Sequence, residues 1–264
     1  MQPSTTESNY SESHYNLDPH RDLYGDLYID QPSKGYRFSM DSFLVAEYAA
    51  GQTDNLIKRN NPWKILDIGT GCAPIALALC LRLRPGDIKI TAVEIQEELA
   101  RTACRNIVMN RMEKEISIIQ GDIRMMTCRD LEGPFDLVVS NPPYHKKEDG
   151  RISLDQGRAI ARHEVTLNLG ELMQSAAKMM KNRAILTLIY PVTRLTELVC
   201  AMHHYRIEPS EMRFVHTKSD SPPSLILISG IKNGSSPLIV SPPVNMDKMY
   251  MDKMNMDKTY KRKD

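Results

Sequence analysis

Between about residues 60 and 235 the chain alternates short continuous apolar runs with longer stretches in which apolar residues recur at helical spacing. The run "WKILDIG" leads into a helical pattern over 73–84, "IKITAVE" leads into one over 96–110, and "EISIIQ" and "FDLVVS" follow. Runs without polar alternation are covered on both faces, which predicts a parallel sheet held between helices. Beyond "FDLVVS" the spacing predicts a helix near 166–181, a strand at "AILTLIY", a helix near 192–204, and strands at about 206–216 and 224–231. The last two are joined by "KSDSPPS", too short for a crossover helix, so they are expected to pair antiparallel. The fold class expected is α/β, a doubly wound sheet of seven strands, mostly parallel, with an antiparallel hairpin at one edge.

The two ends lack this pattern. Residues 1–20 are polar and acidic, with little to bury, and read as a disordered leader. From Met246 the chain runs "MDKMY", "MDKMN", "MDKTY", a five-residue period that fits neither a helix face nor a strand face. With the proline-bearing "SSPLIVSPPV" before it, 235–264 reads as a linker and a disordered low-complexity tail, which leaves 21–234 as one domain.

Composition narrows this picture. A chain of 264 residues, 41% hydrophobic, suffices for one core, and a net charge of +1 excludes a uniformly basic coat while allowing a local basic patch. The five cysteines, Cys72, Cys80, Cys104, Cys128 and Cys200, lack the short spacings of metal sites and are expected to be buried thiols of a reducing cytoplasm. No run has the length of a membrane span and the start does not resemble a signal peptide, so a soluble cytoplasmic protein without metal is expected.

The chemistry lies where strands end. The first strand runs into "DIGTGCA", placing Asp67, Gly69 and Gly71 at a strand-to-helix turn, where ligands meet the carboxyl ends of a parallel sheet. The loop lacks the third glycine of a dinucleotide fingerprint and the Lys-Ser/Thr of a P-loop, which disfavours dinucleotides and ATP. Asp67 suits a ligand with a positive end, such as the amino group of S-adenosylmethionine. Glu94 ends the second strand, where a carboxylate can accept from both ribose hydroxyls. At the third tip Asp122 can accept from an adenine amine while Ile123 packs on the ring. Each alone also reads as an ordinary turn or helix-start acid. Three in succession make the joint reading the stronger one.

The fourth strand ends in "NPPY". Asn141 emerges beside the same pocket, and the prolines fix its side chain and the Pro142 carbonyl. Two carbonyl acceptors aimed at one point suit a planar amine. Its nitrogen is a poor nucleophile until both N–H bonds are accepted, which exposes the lone pair to an electrophilic methyl. Tyr144 would stack on the acceptor, beside Pro143, and no strong base is required. The plain alternative is a rigid Pro-Pro loop with a surface tyrosine.

"DIGTGCA", "VE", "GD" and "NPPY", in this order over residues 60–230, resemble the class I S-adenosylmethionine-dependent methyltransferases that act on planar nitrogen, whose fold is Rossmann-like. The stretch "IDQPSKGYRFSMDSFLVAEYA" at 29–49, with "ARHEVTLNLGELMQSAAKMM" and "RFVHTKSDSPPSLILISGIKNG", is similar to the tRNA adenine-N6 methyltransferases acting on adenosine-37 of a valine tRNA. The resemblance implies S-adenosyl-L-methionine as cofactor, tRNA as partner, and Arg37, Phe38 and Asp41 in the cofactor or catalytic region. The residue pattern alone reads "GYRFSMDSFLVAEYA" as a turn and a helix capped by Ser39 or Asp41. Lys146, Lys147 and Arg151 after the motif can grip phosphates around an extruded base, or form a solvated surface balanced by Glu148 and Asp149.

Two departures keep alternatives open. Ala73 and Pro74 stand where the usual loop has its third glycine and the residue after it, and His145 after "NPPY" is similar to the ribosomal-RNA guanine-N2 methyltransferases. A protein glutamine methyltransferase of release-factor type also fits a carboxamide nitrogen, although the stretch before the fold leaves little room for the helical domain such enzymes carry. A methyltransferase-fold binding subunit is the non-enzymatic alternative.

Overall fold

The computed structural model describes residues 27–32, 40–53, 62–83, 88–143, 167–235 and 237–247. Helix α1 (Met40–Thr53) precedes the sheet. Then follow β1 (Trp63–Ile68), α2 (Pro74–Arg82), β2 (Ile88–Glu94), α3 (Glu97–Met109), β3 (Ile116–Gln120) and β4 (Phe135–Ser140). The remainder is α4 (Leu169–Met179), β5 (Met180–Pro191), α5 (Leu195–His204), β6 (Ile207–His216), β7 (Leu225–Lys232) and β8 (Ile239–Asn245). The expected leader and the repeat tail from residue 248 lie outside the described residues.

The strands form one sheet in the order β3-β2-β1-β4-β5-β7-β6-β8. Strands β3, β2, β1, β4 and β5 pair parallel, and β7 pairs antiparallel with both β5 and β6. The alternation of faces explains the apolar runs. Ile65, Leu137, Val139, Ile185 and Ile189 point into a core with α1, α2 and α3. Their neighbours Leu66, Val138, Leu186 and Leu188 point the other way, into a core with α4 and α5. All six residues of β4 are buried, as a strand covered on both faces requires.

Local signals set the helix starts. Pro74 occupies the first turn of α2, where its missing N–H costs nothing. Asn168 and Glu171 form a reciprocal capping box on α4. Because β1 lies between β2 and β4, chain connections diverge on either side of it, and the crevice at its carboxyl end is where doubly wound sheets bind ligands.

Two expectations are corrected. The segment read as a linker contributes β8, which pairs parallel with β6, so the sheet has eight strands rather than seven. Pro242 and Pro243 hid this strand, yet at an edge only one side of the backbone needs ladder hydrogen bonds, so proline is tolerated there. Ser241 Oγ donates to Glu211 Oε1 at 2.6 Å, tying β8 to β6. The thiols are all free, but only Cys72 and Cys80 are buried; Cys104 and Cys200 are exposed and Cys128 is half-buried. Among the described residues no helix is long and apolar enough to cross a membrane, and no cluster of His, Cys, Asp or Glu is arranged to hold a metal.

Candidate active site at the strand tips

The parallel register brings the ends of β1, β2 and β4 to one edge, and the loops beyond them bond back to neighbouring strands. Gly69 N–H donates to Val93 O at 2.9 Å and Gly121 N–H to Glu94 O at 2.9 Å. Gly69 and Gly71 adopt φ of 72° and 60°, left-handed values that glycine reaches without strain. A side chain at Gly69 would meet nothing within 4 Å, so the space in front of this turn is open. Ala73, at φ 67°, holds the left-handed position that starts α2 in place of a glycine.

Asp67 is fully buried at the end of β1. Thr70 Oγ1 donates to its Oδ2 at 2.6 Å, while Oδ1 is buried without a hydrogen-bond partner. Burial is the main cause that pushes its carboxyl up to about 7, with the nearby Glu94 charge adding to the rise and the Thr70 hydroxyl opposing it. Glu94 is buried too. It accepts from Gly71 N–H through Oε2 and from Gln96 N–H through Oε1, both at 2.9 Å, and burial raises its carboxyl above the usual range. Two buried carboxylates, one with an orphaned oxygen, lie behind the glycine turn and make its surroundings negative and short of donors. That chemistry fits the ammonium and ribose hydroxyls of S-adenosylmethionine.

The tip of β4 reaches the same glycine turn. Ser140 Oγ donates to Ile68 O at 2.7 Å, fastening β4 to β1. Asn141 is buried, and its Nδ2 donates to Ser42 Oγ of α1 at 3.1 Å. Ser42, the loop from Gly69 to Cys72, Pro74, Ile75 and Asn141 line one small cavity. Pro142 is buried and Pro143 exposed, so the pair bends the chain from the core to the surface.

The tip of β3 differs. Arg124 takes both carboxylate oxygens of Asp122, from Nη2 at 2.6 Å and Nε at 2.9 Å, and reaches Glu171 with Nη1 at 3.1 Å. This guanidinium holds the Asp122 carboxyl below the usual range. Ile123 is buried in the core on the α4 side. Asp41 sits partly exposed in the first turn of α1, beside Ser42. Arg37, Phe38, Tyr144, Lys146, Lys147 and Arg151 lie outside the described residues.

Sequence reasoning missed four participants: Ser42, Thr70, Asn106 and Asp30. Asn106 Nδ2 donates to Cys72 O and Asp30 O, each at 2.9 Å, and its Oδ1 accepts from Asp30 N–H at 2.8 Å, clamping the glycine loop to the segment before α1. Thr70 lay inside the quoted motif and its hydroxyl was a readable signal. The other three act across 34 to 99 residues of sequence, which no local pattern announces.

Residues 53–207 match the methyltransferase small domain family. The chain is 33% identical over 201 residues to the tRNA1(Val) (adenine(37)-N6)-methyltransferase of Porphyromonas gingivalis, covering 75% of this chain and 76% of that protein. It is 29% identical over 202 residues to the protein of the same name from Aeromonas hydrophila, covering 76% and 79%. Among solved structures, one described as a predicted O-methyltransferase from Agrobacterium tumefaciens superposes with a TM-score of 0.58 at 20% identity, over 78% of this chain and 88% of that one. With its glycine turn, buried acids and matching sequence, the chain belongs to the methyltransferase small domain family, alongside relatives named tRNA1(Val) (adenine(37)-N6)-methyltransferase.

Proposed function

We propose that this chain transfers a methyl group from S-adenosylmethionine to N6 of adenosine-37 in a valine tRNA. The observation that carries the reading is the placing of Asn141, its amide nitrogen held by Ser42, in the cavity formed by the glycine turn after Asp67. The names of the relatives supply the acceptor base and its position.

Asp67, through the orphaned Oδ1, would receive the ammonium of the cofactor, Glu94 its ribose hydroxyls, and Asp122 with Ile123 the adenine end. When bound there, S-adenosylmethionine supplies a methyl group on a cationic sulfur, an electrophile that needs no further activation. The work left to the protein is to make an amide-like nitrogen nucleophilic. Asn141 Oδ1 and the Pro142 carbonyl accept the two N6 hydrogens, which draws the nitrogen lone pair out of conjugation and points it at the methyl. Once methylated, the nitrogen carries four bonds and is strongly acidic, so it sheds one of these hydrogens to water along the same hydrogen bonds and no strong base is needed. Reaching an anticodon-loop base requires extrusion from its stack, and Tyr144 is assigned the stacking surface, with Pro143 at its base. Lys146, Lys147 and Arg151 are assigned the phosphates, whose contribution weakens with salt.

The test is transfer of labelled methyl to total tRNA lacking its modifications, with wild type beside Asn141→Ala, followed by nucleoside mass spectrometry. N6-methyladenosine made by wild type and reduced by orders of magnitude in the variant supports the reading. Label in N2-methylguanosine, or no label in tRNA while release factors offered in a parallel reaction are labelled, overturns it.

A further inference from the structure

We infer that Ser42 is a positioning residue for methyl transfer, fixing which end of the Asn141 amide faces the acceptor amine; this rests on the reading of Asn141 given above. An asparagine amide presents a donor at one end and an acceptor at the other, and only the acceptor end can receive an N6 hydrogen. Turned over, Nδ2 would meet the amine with hydrogens of its own and block the approach. The contact that bears on the orientation is the one to α1: Nδ2 donates to Ser42 Oγ at 3.1 Å. Both side chains are buried, Ser42 at 3% and Asn141 at 7% exposure, so water does not compete for the hydroxyl. A hydrogen bond in such surroundings fixes geometry more firmly than one at the surface.

The surroundings of Ser42 argue against a filler role. It faces inward on α1 in line with Val45, Ala46 and Ala49, all buried and apolar. A position that only had to fill this space would be served by alanine, which favours a helix more than serine does. The hydroxyl is instead placed where α1 crosses the tip of β4, against the one side chain whose orientation the reaction needs. It also lines the cavity shared by Gly69, Gly71 and Asn141.

The test compares wild type, Ser42→Ala, Asn141→Ala and the double variant on valine tRNA lacking modifications, reading kcat at saturation, cofactor Kd by calorimetry and the melting temperature. Ser42→Ala should lower kcat about tenfold, leave cofactor Kd within about threefold, and lower the melting temperature by only a few degrees, as expected when one buried amide N–H loses its acceptor. In the Asn141→Ala background the same change should move kcat by less than about twofold, because no amide remains to orient. Ser42→Cys, whose thiol is a weak acceptor of similar size, should fall between wild type and Ser42→Ala, and guards against a packing effect of the smaller side chain. Wild-type kcat in Ser42→Ala, or an undiminished drop in the double variant, would overturn the inference while leaving the proposed function standing. So would loss of kcat that tracks a lower melt in both Ser42 variants. A fully active Asn141→Ala would instead sink the reading on which it rests.

Discussion

Asp67 and Asp122 occupy equivalent places, each at the carboxyl tip of a parallel strand after an apolar run, yet their surroundings make them opposites. Asp67 is fully buried, the charge that acts on it is that of another acid, Glu94, and one of its oxygens has no partner. The Asp122 side chain is 26% exposed and is clasped by Arg124. The first carboxyl is pushed up by burial and the second is held down by a guanidinium. A strand tip in this architecture places a carboxylate at the ligand edge. Whether that charge is held in reserve for a ligand or already neutralised depends on what packs around it.

The contrast can be broken most forcefully at Asp67. Asp67→Asn keeps the shape but removes the charge, and cofactor Kd measured by calorimetry should rise on the order of 100-fold, as expected for losing a charged hydrogen bond of roughly 2–3 kcal/mol. Stability at pH 8 should hold or increase, because an uncompensated buried charge is removed. Unchanged affinity would reassign the cofactor's ammonium to another group.

A smaller effect is expected from pH. With the Asp67 carboxyl near 7 in the free protein, cofactor binding that needs the ionised form should strengthen roughly tenfold from pH 6 to pH 8, with proton release, and Asp67→Asn should flatten the profile. For folding the sign is opposite. The folded state keeps this proton up to about 7 while the unfolded chain loses it near the ordinary aspartate value of 3.8. The contribution of Asp67 therefore falls as pH rises through that window and stays at its lowest above it. Denaturant titrations of wild type and Asp67→Asn across the window isolate this slope.

The smallest effect is expected at the other tip. Asp122→Asn breaks a partly exposed ion pair, which should change stability by less than about 1 kcal/mol. Cofactor Kd should shift by about threefold, since Arg124 already occupies the carboxylate. A loss matching that of Asp67→Asn would erase the distinction between the two tips.

How far these differences were legible in the sequence follows from the range of each interaction. The strands β1, β2 and β4 and the helices after them were readable because continuous apolar runs and helical spacing are local. The antiparallel pairing of β6 with β7 was readable from a short turn. The eighth strand was hidden by Pro242 and Pro243, whose edge position is a property of the whole sheet. At the candidate site, Asp67, Gly69, Gly71, Glu94 and Asn141 were readable as residues at or just beyond strand ends, because local apolar runs mark where strands stop. Arg124 stands two residues after Asp122 in "GDIR", so that ion pair had a local signal that was not used. Ser42 and Asn106 had none, because helix faces 99 and 76 residues from their partners meet them only through the packing of α1 and α3.

The most direct test of the central claim is to incubate the protein with S-adenosylmethionine and valine tRNA transcripts that carry adenosine or guanosine at position 37, and to map the methyl group by nuclease fragmentation and mass spectrometry. The account predicts one methyl per tRNA, as N6-methyladenosine at position 37, and none on the guanosine transcript. Equal methylation of both transcripts, or a methyl elsewhere in the tRNA, would contradict it.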